Sequence, residues 1–323
     1  MYLITGQTAT GKTALAIEYA KKYNGELVNF DSRQIYKYLN IITGKDLDKG
    51  AKFNDQSSKF KLTNNGKNLS IGFYPIQPPT NPQPATNSHQ PPTVNIWLYD
   101  LITPDHSFSS YNYVMIAQMV IDDIKKRGKT PILVGGSYFY LKHLLYGFDY
   151  QIPPDFKLRK KLNKRSVKEL QTILKKIDRQ SFNQLNHSDQ NNPRRLIRRI
   201  EISQGKNLTN RVTLKTTPQY RLTKFIGLYY QDRNKLRQKI EDRVKKRLKQ
   251  EALDEVKKVL QMGYQKTDPG LKTIGYQQLI AYLEGKISKE KAIENWITAE
   301  LQYAKRQYTF MKKDKNIHWQ TIT

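Results

Sequence analysis

Residues 2–13 read YLITGQTATGKT, and this stretch decides the fold. Tyr2–Thr5 is a short apolar run suited to a buried strand. It leads straight into Gly6-Gln7-Thr8-Ala9-Thr10-Gly11-Lys12-Thr13, which has the spacing G-x-x-x-x-G-K-[ST] of a phosphate-binding loop. The glycines let backbone N–H groups turn inward onto a phosphate, and the N-terminus of the following helix adds favourable partial charge. Lys12 can reach a terminal phosphate, and the Thr13 hydroxyl can ligate Mg2+. The motif requires a diphosphate or triphosphate. It does not specify ATP.

Working outward, a helix is expected from about Lys12 to Lys22. ELVNFDS (26–32) reads as a second buried strand ending on Asp31, and VNIWLYDL (94–101) as a third ending on Asp100. YNYVMIAQMVIDDIKKRG (111–128) has apolar residues at helical spacing, with Gly128 as a stop. TPILVGGS (130–137) is a fourth strand ending in two glycines and Ser137, and KFIGLYY (224–230) a further one. Strands alternating with helices predict an α/β fold, a P-loop NTPase-like parallel sheet flanked by helices. Ligands of such sheets collect at the carboxyl ends of the strands. That edge holds the loop, Asp31, Asp100 and Ser137.

The expected organisation is a P-loop core over 1–152, a basic helical insertion subdomain over 153–190, and the remainder of the core with C-terminal helices over 191–323. Within the core, about 46–93 breaks the pattern. KFKLTNNGKNLSIGFY (59–74) looks like a hairpin around Asn65-Gly66, and QPPTNPQPATNSHQPPT (77–93) reads as an extended spacer.

Charge is the loudest bulk signal, a net +28. Residues 154–250 hold 28 lysines and arginines against 8 acidic residues, so +20 of the excess lies in about a third of the chain. Excess of this size concerns partners, and a nucleic acid is the simplest polyanion to meet it. No apolar run approaches the ~20 residues of a membrane span, and the N-terminus shows no signal-peptide pattern. Cysteine is absent, which fits a reducing cytoplasm. The sequence carries no oligomer signal, so a monomer is the expectation.

A nucleotide hydrolase also needs an acid at a strand end and an orienter for water. PILVGGS offers no acid. Asp31 sits at the end of the strand beside the loop. It can hold a metal, act as a general base, or cap the following turn.

GQTATGKT, FDSRQIY (30–36), TGKD (43–46), ILVGGS, NNPRRLIRRIEI (191–202), IGYQQL (274–279) and AKRQ (304–307) occur in the order seen in the bacterial tRNA dimethylallyltransferases, a family the chain resembles over nearly its whole length outside 46–93. The resemblance implies transfer of a dimethylallyl group from dimethylallyl diphosphate to N6 of the adenine on the 3′ side of the anticodon, with Mg2+ as cofactor and a tRNA anticodon stem-loop as partner. It makes Asp31 the base, with Ser32, Arg33, Gln34 and Ser137 at the flipped-out adenine or the diphosphate. It makes Arg194, Arg195, Leu196, Ile197 and Arg198 a tRNA-contacting segment and Arg159 an RNA contact. Lys305 and Arg306 are candidate phosphate contacts. Ser137 stands where the family has Thr, Tyr138 where it has a small residue, a change expected to narrow the channel, and Gln7 where it has Pro, a change expected to loosen the loop. Absent cysteines exclude the zinc-finger extension of eukaryotic relatives. The competing readings are a P-loop kinase of a small metabolite, an adenylate isopentenyltransferase acting on free adenosine phosphates, and a non-catalytic RNA-binding protein. The first two leave the basic block unexplained, and an intact Lys12, Thr13 and Asp31 argue against the third.

Overall fold

The computed structural model describes residues 1–45, 47, 50–60, 62–64, 66–76, 93–148, 152, 154–205 and 219–323. The Pro/Asn-rich stretch at 77–92 and Asn65 lie outside the described residues. The strands in chain order are β1 (Tyr2–Gly6), β2 (Gly25–Asn29), β3 (Asn54–Asp55), β4 (Thr63–Asn64), β5 (Lys67–Asn68), β6 (Gly72–Ile76), β7 (Val94–Trp97), β8 (Thr130–Val134), β9 (Lys224–Tyr230) and β10 (His318–Ile322). Eight of them make one sheet, in the order β10-β9-β1-β8-β2-β7-β6-β3. From β10 to β7 the pairing is parallel, with Leu3 opposite Leu133 and Ile4 opposite Ile226. The loop strand β1 is therefore interior, and its five residues are all buried.

Two features depart from a purely parallel sheet with a helical C-terminus. β6 pairs antiparallel with β7, and β3 with β6, so part of the 46–93 region extends the core sheet. Gly72 makes this approach possible, because a Cβ there would lie 2.1 Å from the Asn54 carbonyl oxygen. β4 and β5 pair as the expected hairpin flanking Asn65-Gly66. At the opposite edge, β10 follows the last helix and pairs with β9. Its exposed-and-intermediate pattern is that of an edge strand, which gives little hydrophobic signal in a sequence.

The Lys12–Lys22 helix turns Ala16, Ile17 and Ala20 onto Leu27, Ile96 and Ile132 of the sheet. The Ser110–Lys126 helix starts where Ser109 Oγ accepts from Asn112 N and stops before Gly128, whose φ is +73°. Beside it, Glu26 of β2 is buried and accepts from Arg127, Lys129 and the Trp97 indole, each at 2.7 Å. Burial alone would raise this carboxyl, but these donors outweigh burial and hold it at about 2. No helix among the described residues is long and apolar enough to cross a membrane.

The chain divides into two compact units, 1–144 with 220–323, and 145–219. The second unit is wider than the 153–190 expected for the basic insertion. It takes in the Pro193–Gly205 helix, whose Leu196, Ile197 and Ile200 pack on Leu170, Leu174 and Phe182. A run with four arginines looks like solvent-facing surface, and only the packing shows which of its faces is core.

Candidate active site

The phosphate loop leaves β1 at Gly6, where a Cβ would stand 2.1 Å from the Leu228 carbonyl oxygen, so only glycine fits against β9. Gln7 N donates to Leu228 O at 3.0 Å, and Gln7 Oε1 accepts from Tyr230 N at 2.8 Å. The glutamine that replaces proline thus ties the loop to β9; it does not loosen it. Thr10 Oγ1 and Lys12 Nζ both donate to Gln7 O, at 2.8 and 2.5 Å. Ala9 and Gly11 take left-handed backbone, with φ of +63° and +75°. The Lys12–Lys22 helix has no side-chain cap, which leaves its first N–H groups to a ligand.

A second cation joins Lys12. Arg243, from the Arg233–Lys249 helix, donates through Nη1 to Thr8 Oγ1 at 2.5 Å. Desolvation, with Arg243 adding to it, pushes the Lys12 ammonium down to about 7, while Asp31 and Glu300 act the other way. Such a pair favours a ligand of high negative charge. Sequence reasoning missed Arg243. It sits in a helix crowded with basic residues, and only the fold separates it from the rest.

The AKRQ block also supplies a residue that the sequence reading did not single out. On the Lys289–Met311 helix, Lys305 and Arg306 are exposed, whereas Gln307 is buried and reaches the loop, its Oε1 accepting from Thr8 N at 2.8 Å. Glu300, Ala304, Gln307 and Met311 fall at helical spacing on one buried face. A glutamine on that stripe was the signal available in the sequence.

Asp31 follows β2. Asn29 Oδ1 accepts from Asp31 N, and Asp31 Oδ1 accepts from Arg33 N, both at 2.9 Å. The turn is fixed further by Ser137, whose Oγ accepts from Ser32 N and donates to Ser32 Oγ, both at 2.9 Å. Gly136 brings the β8 end close, since a Cβ there would stand 3.5 Å from Asp31 Oδ2. Burial, then the Asp31 carboxylate, hold the Tyr303 phenol well above its ordinary value. Gln34 is engaged with the chain: its Nε2 donates to Gly44 O at 2.7 Å and Thr43 O at 3.3 Å. Arg33 Nη1 donates to Pro269 O at 3.3 Å. Tyr138 is buried, with its hydroxyl donating to Asp314 Oδ2 at 2.6 Å. Asp100 accepts from Tyr74 at 2.6 Å and from the fully buried Lys45 of TGKD, which makes it an internal ion pair.

For a divalent metal, the donors at the loop are the Thr13 hydroxyl and the Asp31 carboxylate. Among the described residues no three His, Cys, Asp or Glu side chains gather as a cage. Mg2+ keeps several waters and is commonly completed by substrate phosphates, so a site built from Thr13 and a diphosphate fits this donor set.

In the second unit, the arginine run separates into two groups. Leu196 and Ile197 are core. Arg159 donates to the buried Glu201 through Nε at 2.5 Å and Nη2 at 2.7 Å. Arg198 donates to Glu201 at 3.0 Å and to Ile152 O at 2.8 Å. These two guanidiniums are structural partners. Arg194 and Arg195 are exposed, and Arg195 pairs with Asp189.

A family model described as IPP transferase matches residues 85–314. A tRNA dimethylallyltransferase of Endomicrobium trichonymphae is 33% identical over 98% of this chain and 92% of its own length. The full-length tRNA isopentenylpyrophosphate transferase of Bacillus halodurans superposes with a TM-score of 0.61 at 28% identity, over 99% of this chain and 89% of that one. The corresponding Staphylococcus epidermidis enzyme gives 0.60 and 29%, over 99% and 92%. A phosphate loop with two cations, a carboxylate at the end of β2 on the same sheet edge, and likeness along almost the entire length agree: the chain belongs to the IPP transferase family, that of the tRNA dimethylallyltransferases.

Proposed function

We propose that this chain transfers the dimethylallyl group of dimethylallyl diphosphate to N6 of the adenine on the 3′ side of a tRNA anticodon, releasing diphosphate. The observation that carries the proposal is the pairing of a cation-rich phosphate loop with one carboxylate, Asp31, held on the turn that follows β2. The allylic carbon–oxygen bond breaks with its electron pair going to the diphosphate. Backbone N–H groups of the loop, Lys12 and Arg243 stabilise the charge that develops there. Mg2+, when held by Thr13 and the diphosphate, adds further neutralisation. The N6 lone pair forms the new carbon–nitrogen bond, and the N6 proton passes to Asp31. Ser32 and Ser137 hold the Asp31 turn, and a Ser137 hydroxyl in place of Thr retains the hydrogen bond that this requires. In this reading the exposed Arg194, and Arg195 beside its partner Asp189, meet RNA phosphates, while Arg159 and Arg198 maintain the unit that presents them.

The test is incubation with labelled dimethylallyl diphosphate, Mg2+ and a tRNA carrying adenine next to its anticodon. Label should enter the tRNA. Asp31→Asn should lower the transfer rate by about 10²–10⁴-fold, the usual contribution of a general base, with tRNA affinity held within about twofold. Label in free adenosine phosphates but not in tRNA would favour the adenylate isopentenyltransferase. No label anywhere, with phosphate transferred from ATP to a small molecule, would favour the kinase.

A further inference from the structure

Gln307 is 6% exposed, and its carboxamide is divided between two loops. Oε1 accepts from Thr8 N in the phosphate loop at 2.8 Å, and Nε2 donates to Gly136 O at 3.0 Å. The loops serve opposite halves of the reaction. One cradles the leaving diphosphate. The other carries Ser137, which fixes the Asp31 turn through Ser32. The fit is close, because a Cβ on Gly136 would lie 2.3 Å from Gln307 Nε2. One helical turn further on, Met311 Sδ sits 3.1 Å from Thr5 Oγ1, which in turn donates to Gly135 O at 3.1 Å. The same helix face therefore braces β1, the phosphate loop and the β8 end together.

We propose that Gln307 is a positioning residue that sets the separation between the diphosphate cradle and the Asp31–Ser137 side, and so aligns the allylic carbon with the attacking N6. This rests on the prenyl-transfer reading above. A neutral amide suits this role. It presents one acceptor and one donor in fixed geometry and adds no charge to a site that must admit a diphosphate. Misplacement of reacting groups by about 1 Å is enough to cost on the order of 10²-fold in rate.

Gln307→Met keeps the side chain's length and loses both hydrogen bonds. It should lower kcat by about 10–100-fold at saturating tRNA while tRNA affinity stays within about twofold. Gln307→Glu supplies a more specific signature. As a carboxylate it still accepts from Thr8 N but repels Gly136 O; once protonated it can donate to Gly136 O as the amide does. Its kcat relative to wild type, compared at each pH, should rise as pH falls. Gly136→Ala should reproduce the Gln307→Met loss, and the double variant should fall no further. The assignment is overturned by a Gln307→Met enzyme with kcat within twofold of wild type. It is also overturned if melting temperature, tRNA affinity and kcat fall together and the Gln307→Glu ratio is flat with pH, because the residue would then be structural only. A wild-type protein that transfers no prenyl group would sink the functional reading itself and the assignment with it.

Discussion

Glu201→Gln probes whether the arginines of the second unit hold it together or serve RNA directly. The Glu201 side chain is 1% exposed. It accepts from Asp155 N at 3.1 Å, from Arg159 at 2.5 and 2.7 Å, and from Arg198 at 3.0 Å. A glutamine of the same shape removes the charge and turns an NH2 toward a guanidinium. Breaking a fully buried ion pair costs about 3–5 kcal/mol. Here Arg159 and Arg198 are 30% and 32% exposed, so water takes up part of the uncompensated charge. The expected loss is about 2 kcal/mol. For a unit of this size that lowers its melting transition by roughly 8–15 °C. Hydrogen exchange is the assay. Protection should fall in peptides covering Phe156–Leu162 and Pro193–Gly205 and should hold in Ser110–Lys126 of the other unit. A loss below about 0.5 kcal/mol, or equal losses in both units, would refute the structural assignment of Arg159 and Arg198.

Arg194→Ala should give the converse result: stability unchanged within about 0.5 kcal/mol, weaker tRNA binding, and a salt slope reduced by about one. Unchanged affinity across a salt titration would remove Arg194 from the RNA surface. Glu26 contributes to acid stability. Its carboxyl is held at about 2 against an ordinary 4.5, so its contribution is complete above about pH 4.5 and is lost as pH falls toward 2. Glu26→Gln should cost about 2–3 kcal/mol at pH 7 and flatten the urea-unfolding stability between pH 4.5 and 2. An acid profile as steep as wild type would show that Glu26 adds nothing to it.

The phosphate loop, the strands that flank it and the Asp31 strand end were legible in the sequence because each is a local event. Gly6 and Gly11 punctuate a loop, apolar runs of four or five residues mark parallel strands, and the residue after such a run lies on the ligand edge. Edge elements were not legible. β10 and β3, the two edge strands, and β6 beside β3 are exposed or only partly buried, and their pairing depends on what lies beside them. The +20 of residues 154–250 pointed to a polyanion. It could not say that Glu201 claims Arg159 and Arg198 and leaves Arg194 exposed, because a basic run looks the same on a core face and on a wet one. Gln7, read as a loosened loop, became a tether once β9 was placed against it.

What the sequence by itself determined was the chemistry at one sheet edge: an octet that binds phosphate, and a carboxylate at another strand end of the same edge. Tertiary structure alone brought Arg243 and Gln307 to that loop, from positions 235 and 299 residues beyond Thr8. Both lie on long helices whose register against the sheet is set by packing of buried faces. No spacing in the chain encodes which polar residue on such a face will meet Thr8.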